Sequence, residues 1–535
     1  MSAAVTPATP AQIEHDLIEL REGAKRWVAL RTSAKADLLA QVRDHVDRNA
    51  ARWAQAGAEA KGIAGTPLAG EEWVSGPWAL LYALNRYVRT LREIARDGTP
   101  RLAQSRVHER GDGQLVVDVF PNTLYDRALL MGVHAEVWMQ PGVTRDNLAS
   151  TTAVWYKQSS PQPRVALVLG AGNIASIPPL DVLYKLVADG AVCILKMNPV
   201  NEYLGPIFED ALRPLVDGGF LRFAYGGPDV GKLLCAHPLV DEIHITGSDR
   251  TFNAIVHTAG FDKSITAELG NVSPTIVVPG PWSDADFRYQ AEQIVTQKLH
   301  NDGFNCIAAQ VLILPKEWDG TPKLLEQIER VMRQAPARPA YYPGAAERMR
   351  QLGAADRSIL RLDATDAAAV FETEAFAPLL AVTTLPGETS AYLRDAVAFA
   401  SERLCGNLGA NMVVHPATMR EFAADVDAAI AGLHYGCVAV NAWTGVGFLL
   451  TETTWGAYPG NTVDDVRSGI GVVHNSYLFD RAQKSVVYAP FRMFPKPPWF
   501  VTNRLADKIG EALIGYEMHQ TPLSLMKVAA LAARA

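Results

Sequence analysis

Between Arg164 and Thr246 the sequence alternates apolar runs with Gly-rich or polar breaks and amphipathic stretches, and this alternation fixes the fold class. The runs are Arg164-Val165-Ala166-Leu167-Val168-Leu169, Ala191-Val192-Cys193-Ile194-Leu195-Lys196, Leu221-Arg222-Phe223-Ala224-Tyr225 and Glu242-Ile243-His244-Ile245-Thr246. Most are apolar at successive positions rather than at alternate ones, so both faces of each strand need cover. Helices are expected over 179–189, 203–216 and 228–236, and strands separated by helices pair in parallel. The chain is therefore an α/β protein, and ligands in such sheets bind beyond the C-terminal ends of the strands.

The chain has 535 residues, more than a single core normally organises, so two or three structural units are expected. A net charge of −7 with scattered basic residues gives no footprint for nucleic acid. Cysteines 193, 235, 306, 405 and 437 show neither the CxxC spacing of a metal site nor the density of a disulfide scaffold, so no metal is expected and a reducing cytoplasm fits. The N-terminus lacks the basic and apolar regions of a signal peptide. The most apolar window, Val165 to Leu183, is interrupted by Gly170, Gly172, Pro178, Pro179 and Asp181 and does not read as a transmembrane segment.

Outside the alternating stretch, residues 11–60 place apolar side chains such as Ile13, Leu17, Leu20, Leu38, Val42 and Val46 at helical steps among charges. Residues 113–143 switch to extended runs, Leu115 to Phe120 and His134 to Met139, which suit a long hairpin or paired arms. A second α/β stretch follows Glu268, with strands expected at Pro274 to Val278 and Gln310 to Leu314 around a helix from Ala285 to Leu299. From Pro490 the chain is rich in Pro and aromatics and then helical, as expected of a wrapping tail. Its last helix, Leu523 to about Ala533, reads as packing at a subunit contact.

Chemistry-bearing residues cluster at the ends of these elements. Asn301-Asp302-Gly303-Phe304-Asn305-Cys306 puts a thiol after a helix and a Gly turn, where backbone N–H groups can stabilise a thiolate, although a free Cys is more often an inert small hydrophobe. Glu268 ends a strand-like stretch and suits a general base aimed into a cleft; a surface glutamate is the plainer alternative. Gly170-Ala171-Gly172-Asn173 follows a strand, with Asn173 either an oxyanion donor or a turn residue. Thr246-Gly247-Ser248 opens a helix, where Ser248 either favours a pyrophosphate or simply caps. Lys196 ends a strand where its ammonium reaches a ribose or phosphate, or snorkels.

Together with Glu374-x-Phe376-x-Pro378, these segments occur in the order seen in NAD(P)-dependent aldehyde dehydrogenases, and the chain resembles that superfamily over roughly 160–480. The resemblance implies an aldehyde dehydrogenase-like fold: a Rossmann-like cofactor domain (1–110 and 161–270), an α/β catalytic domain (271–484), and an oligomerisation arm with a C-terminal tail (111–160 and 485–535). It implies a cytoplasmic homodimer or homotetramer using NAD or NADP on a small-molecule aldehyde. By position, Cys306 is the nucleophile, Asn173 the oxyanion donor and Glu268 the hydrolytic base. Lys196, Gly247, Ser248, Glu374 and Phe376 fall at cofactor-binding positions.

The sequence departs from the family pattern at several points. Lys196-Met197-Asn198-Pro199 lacks the acidic residue that binds the adenosine ribose, so a 2′-phosphate is not repelled. Asn271 replaces the second Gly after Glu268-Leu269-Gly270, and Ala377 replaces the Gly between Phe376 and Pro378. Trp443, Phe448, Leu449 and Leu450 suggest an apolar aldehyde or, equally, a core segment. A CoA-acylating reductase and a non-catalytic binding protein with the same fold are the alternative readings.

Overall fold

The computed structural model describes residues 6–355 and 357–535 and is organised around two β-sheets. The six-stranded sheet runs in the spatial order Gly469–Ile470, Ser264–Glu268, Glu242–Thr246, Arg164–Leu169, Ala191–Lys196, Leu221–Ala224. Its last five members are parallel, and the two-residue edge strand Gly469–Ile470 is antiparallel to Ser264–Glu268. Strand order reverses between Arg164–Leu169 and Glu242–Thr246. The loops leaving those two neighbours diverge there and open a crevice at their C-terminal ends.

Burial of the strand interiors accounts for the unbroken apolar runs: Val165 to Val168 and Val192 to Leu195 are all inaccessible to solvent. One face is closed by the helix Ile177–Val187, and the helix Pro10–Ala29 also packs on the sheet. Leu17, Leu20, Ala24 and Trp27 of Pro10–Ala29 are fully buried, the last donating its indole N–H to the Leu186 carbonyl at 3.1 Å. The longer helix Thr32–Ala60 packs on the helix Ala79–Asp97.

The ten-stranded sheet runs Val107–Glu109, Leu115–Phe120, His134–Met139, Ala482–Tyr488, Cys437–Val440, Gly409–Val413, Ser273–Val277, Ala309–Pro315, Leu379–Leu385, Ser358–Arg361. Ala482–Tyr488 joins its halves, parallel to Cys437–Val440 and antiparallel to His134–Met139. The arm strands are thus continuous with the second α/β sheet. The Pro-rich tail lies along the helix Asp284–Leu299 of the same chain: Gln290 donates to the Phe491 carbonyl at 2.5 Å, the Val501 N–H to Thr296 Oγ1 at 3.2 Å, and Thr502 Oγ1 to Glu292 at 2.6 Å. The helix Ala506–His519 then packs against residues 70–78, while Leu523 and Met526 of the last helix, Pro522–Ala532, are exposed. Among the described residues, no helix is long and apolar enough to cross a membrane.

Candidate active site

A cavity of about 1410 Å³ lies beyond the C-terminal ends of the parallel strands, between the two sheets. Asn173, Lys196, Gly247, Ser248, Glu268, Cys306, Glu374 and Phe376 all line it. They come from loops up to 203 residues apart, brought together because each follows the C-terminal end of a strand or precedes the next one.

The loop carrying the thiol has an unusual backbone. The helix Asp284–Leu299 ends in Asn301 (φ 53°), Asp302 (φ 56°) and Gly303 (φ 78°), three consecutive left-handed residues. At 303 a side chain is excluded on two counts, because a Cβ would also sit 2.5 Å from the Ala377 carbonyl oxygen. Left-handed geometry costs an ordinary L-residue roughly 1–2 kcal/mol, so the surroundings must hold it. They do so with buried charge. The Asn301 N–H donates to Glu71 Oε2 at 3.1 Å, and Glu71 is held by Arg338 through Nη1 and Nη2 at 2.7 and 2.6 Å. Lys61 Nζ donates to Glu72 at 2.7 Å, to the Asn173 carbonyl at 3.0 Å and to Asn301 Oδ1 at 3.1 Å. Tyr341 Oη donates to the same two acceptors. Lys61 and Glu72 are each 4% exposed, so this pair is desolvated and each partner depends on the other.

Cys306 follows in a turn just before Ala309–Pro315, half-buried at the cavity wall. Burial pushes its thiol well above the usual range, the Glu374 and Glu268 charges push it further, and its own backbone N–H opposes them only weakly. The thiolate stabilisation expected from the turn is therefore outweighed, and the resting group is a protonated thiol. Glu268 is nearly buried, and neither carboxylate oxygen has a hydrogen-bond partner among the described residues. Burial raises its carboxyl well above the usual carboxylate range, the nearby Asp181 charge adds to this, and the Trp455 side chain opposes it from outside hydrogen-bonding geometry. Gly456 leaves room beside it, since a Cβ there would lie 3.1 Å from Glu268 Oε1.

The Asn173 amide donates to the Phe304 carbonyl at 2.9 Å. An amide nitrogen carries two hydrogens, so one remains for a further acceptor. Ser248 caps the helix Asp249–Val256, accepting the Thr251 N–H at 3.2 Å, so the capping alternative is realised at a residue that also faces the cavity. Lys196 is 8% exposed, and burial lowers its pKa. Glu374 is raised to about 7 by burial, opposed by the Asn271 N–H and then by Lys298 and Arg348. A Cβ at 270 would lie 2.3 Å from Glu374 Oε2, so a side chain there would displace the Glu374 carboxyl. Phe376 takes φ 42° and stacks edge-on to Tyr342 at 4.9 Å.

The residues fit an extended, phosphate-bearing cofactor: Gly172 and Gly247 keep the backbone open beside Lys196 and the N-terminus of Asp249–Val256. A Cβ at 172 would come within 2.8 Å of the Asn198 side chain. Ala171 and Ile177 of the cavity wall belong to a small apolar cluster that Ile174 and Phe448 complete from behind. Trp443 donates to the Ile307 carbonyl at 3.4 Å, and Phe448 packs on Ala171, Ile174 and Ile177. Leu450 is fully buried in the core. Sequence reasoning did not single out Lys61, Glu71, Glu72, Arg338, Tyr341, Tyr342 or Arg348, none of which sits in a recognisable motif. Cys405, exposed in a bend after the helix Thr389–Arg403, also lines the cavity, as does Cys235.

Comparison with known proteins agrees with this fold. The model of the aldehyde dehydrogenase family matches residues 173–357. N-succinylglutamate 5-semialdehyde dehydrogenase of Sphingopyxis alaskensis is 34% identical over 158 residues, covering 29% of this chain and 32% of the relative. The matched region thus spans about a third of that relative's length. Among solved structures, aldehyde dehydrogenase C from Pseudomonas syringae, in complex with NAD+ and octanal, superposes with a TM-score of 0.61 at 15% identity, covering 91% of this chain and 90% of that one. Lactaldehyde dehydrogenase from Escherichia coli gives 0.60 at 15% identity, over 90% of this chain and 92% of that one. At such identities the structural matches establish the fold.

Proposed function

We propose that this chain is a member of the aldehyde dehydrogenase superfamily and oxidises an apolar aldehyde to the carboxylate by covalent catalysis on Cys306. The observation that carries the reading is the convergence of a thiol, an unpartnered buried carboxyl and an amide donor on one cavity that also holds a helix N-terminus. Because the thiol rests protonated, its proton is released to solvent as Sγ attacks the aldehyde carbon, which leaves the Glu268 carboxylate free for the hydrolytic step. The free hydrogen of the Asn173 amide and the Cys306 N–H stabilise the alkoxide of the resulting thiohemiacetal. A bound nicotinamide coenzyme supplies the hydride acceptor that converts this adduct to a thioester. Glu268 then removes a proton from water as the water attacks the acyl carbon, and Cys306 leaves with the carboxylic acid released.

Lys196 and Ser248 are placed to hold the adenosine ribose and pyrophosphate, with Gly247 leaving the backbone accessible. Glu374 is placed to hold the nicotinamide ribose and Phe376 to pack beside it. Lys196, Asn198 and Lys232 line the same cavity, a set that accepts a 2′-phosphate as readily as a free ribose hydroxyl, so both NAD and NADP are proposed as cofactors. The apolar Ala171, Ile174, Ile177 and Phe448 favour an aliphatic or aromatic aldehyde. Retention of Glu268 favours hydrolysis over acyl transfer to CoA. The chain is further proposed to work in the cytoplasm as a homodimer or homotetramer.

The test is an absorbance assay at the reduced-nicotinamide band over an aldehyde panel, with NAD and with NADP. Wild type should turn over apolar aldehydes and release acid, and Cys306→Ala should lose roughly 10⁴-fold or more. Acyl-CoA as the product, or undiminished oxidation in the variant, contradicts the reading.

A further inference from the structure

A second cavity, of about 350 Å³, is lined by Arg43, Asn85, Val88, Arg89, Arg92, Glu93, Arg96 and Arg101, none of which lines the active-site cavity. Arg89, Arg92 and Arg96 share one face of the helix Ala79–Asp97, Arg43 comes from the helix Thr32–Ala60, and Arg101 from the segment after the first helix. From this convergence we infer a binding site for a small polyanion bearing two or more phosphate or carboxylate groups.

Neighbouring carboxylates occupy only part of the donor capacity. Asp44 accepts from Arg43 Nε and Nη2, and Asp97 accepts from Arg96 and from Arg101 Nε. Glu93, the one acidic residue of the lining, is turned to the Arg101 backbone N–H at 2.8 Å. Asp37 is 3.7 Å from Arg92, and Glu452 is 3.8 Å from Arg89. Each guanidinium offers five N–H groups in a planar fork that matches phosphate and carboxylate oxygens in pairs, so the set retains N–H groups that these carboxylates do not engage. Hydrogen bonds from Arg96 and then Arg101 hold the Asp97 carboxyl at about 2. Like charges at three- and four-residue steps oppose helix formation, an opposition that a bound anion relieves. On the inner side, Asn85 donates to Glu517, which shares the buried Arg86 with Asp126 and Glu452. Those acidic groups already engage Arg86, which leaves the outer arginines to the anion.

Oligophosphates and polycarboxylates share this chemistry, and two probes separate them. Calorimetric titration of the full chain with pyrophosphate and with citrate, in saturating NAD+ to fill the cofactor cavity, should give saturable binding of one equivalent of at least one probe. Affinity should fall about tenfold in Arg92→Ala/Arg96→Ala and decline with added NaCl. Arg333→Ala, an exposed arginine elsewhere, should leave it unchanged. Aldehyde oxidation at wild-type rate checks that the double variant is folded; should it fail that check, Arg101→Ala serves in its place with the same expectation. Absence of saturable binding of either probe, or affinity unchanged in the arginine variants, overturns the inference.

Discussion

The two walls of the large cavity are built on opposite principles. The nucleophile wall is fixed from beneath: three left-handed residues precede Cys306, and the desolvated pairs Lys61–Glu72 and Arg338–Glu71 hold Asn301 and the Asn173 carbonyl. The cofactor ledge, Gly247 to Arg250, is exposed, and the Ser248 hydroxyl caps the helix that follows. A loop that must present a thiol and an amide to one carbon gains from rigidity, because small misplacements cost rate. A ledge that must admit and release a large cofactor gains from openness. Perturbation of the first wall should therefore act on kcat, and perturbation of the second on cofactor KM.

The sharpest way to break this contrast is Lys61→Met. It strands Glu72 in a dry site, so stability should fall by about 3–5 kcal/mol in thermal or denaturant unfolding. The double variant Lys61→Met/Glu72→Gln should recover much of that stability without recovering kcat, since the Lys61 ammonium remains absent from the Asn173 carbonyl and Asn301 Oδ1. Unchanged kcat would show that the network only stabilises.

Glu374 lies between the two walls and makes an intermediate prediction. Burial raises it to about 7, so it is neutral below that pH and charged above. Cofactor KM should drop as pH rises through 7. Glu374→Gln should weaken cofactor binding roughly tenfold at pH 8, consistent with a hydrogen bond to a charged group, and flatten the profile. A profile that keeps its inflection assigns it to another group. The smallest effect is expected on the ledge: Ser248→Ala removes a helix cap, with a cost of about 1 kcal/mol, so cofactor KM should rise a few-fold with kcat unchanged. A large fall in kcat there would erase the distinction between the walls.

Strands such as Leu115–Phe120, His134–Met139, Arg164–Leu169 and Ala191–Lys196 are legible in the sequence residue for residue, because β-branched and apolar runs bounded by turn formers admit little else. The residues lining the cavity are legible only through motif order. The supporting network is not legible at all: Lys61 meets Asn301 across 240 positions and Arg338 meets Glu71 across 267, and each alone reads as a surface charge. The edge strand Gly469–Ile470 is too short to carry a periodicity. Ala482–Tyr488 is broken by Gln483 and Lys484, the latter buried and held by the carbonyls of Ile430, Ala431 and Leu433. Cys306 shows the same limit in its electrostatics, since the two carboxylates that raise its pKa come from distant segments.

Rapid mixing of Glu268→Gln with an aldehyde and NAD(P) tests the central claim most directly, because it separates acylation of Cys306 from hydrolysis. The account predicts a burst of reduced nicotinamide approaching one equivalent per active site, followed by turnover slowed roughly 10²–10⁴-fold, with acyl-enzyme detectable on Cys306 by mass spectrometry. Steady turnover at the wild-type rate with no acyl-enzyme, or with acyl-CoA formed at full rate when CoA is added, would contradict it.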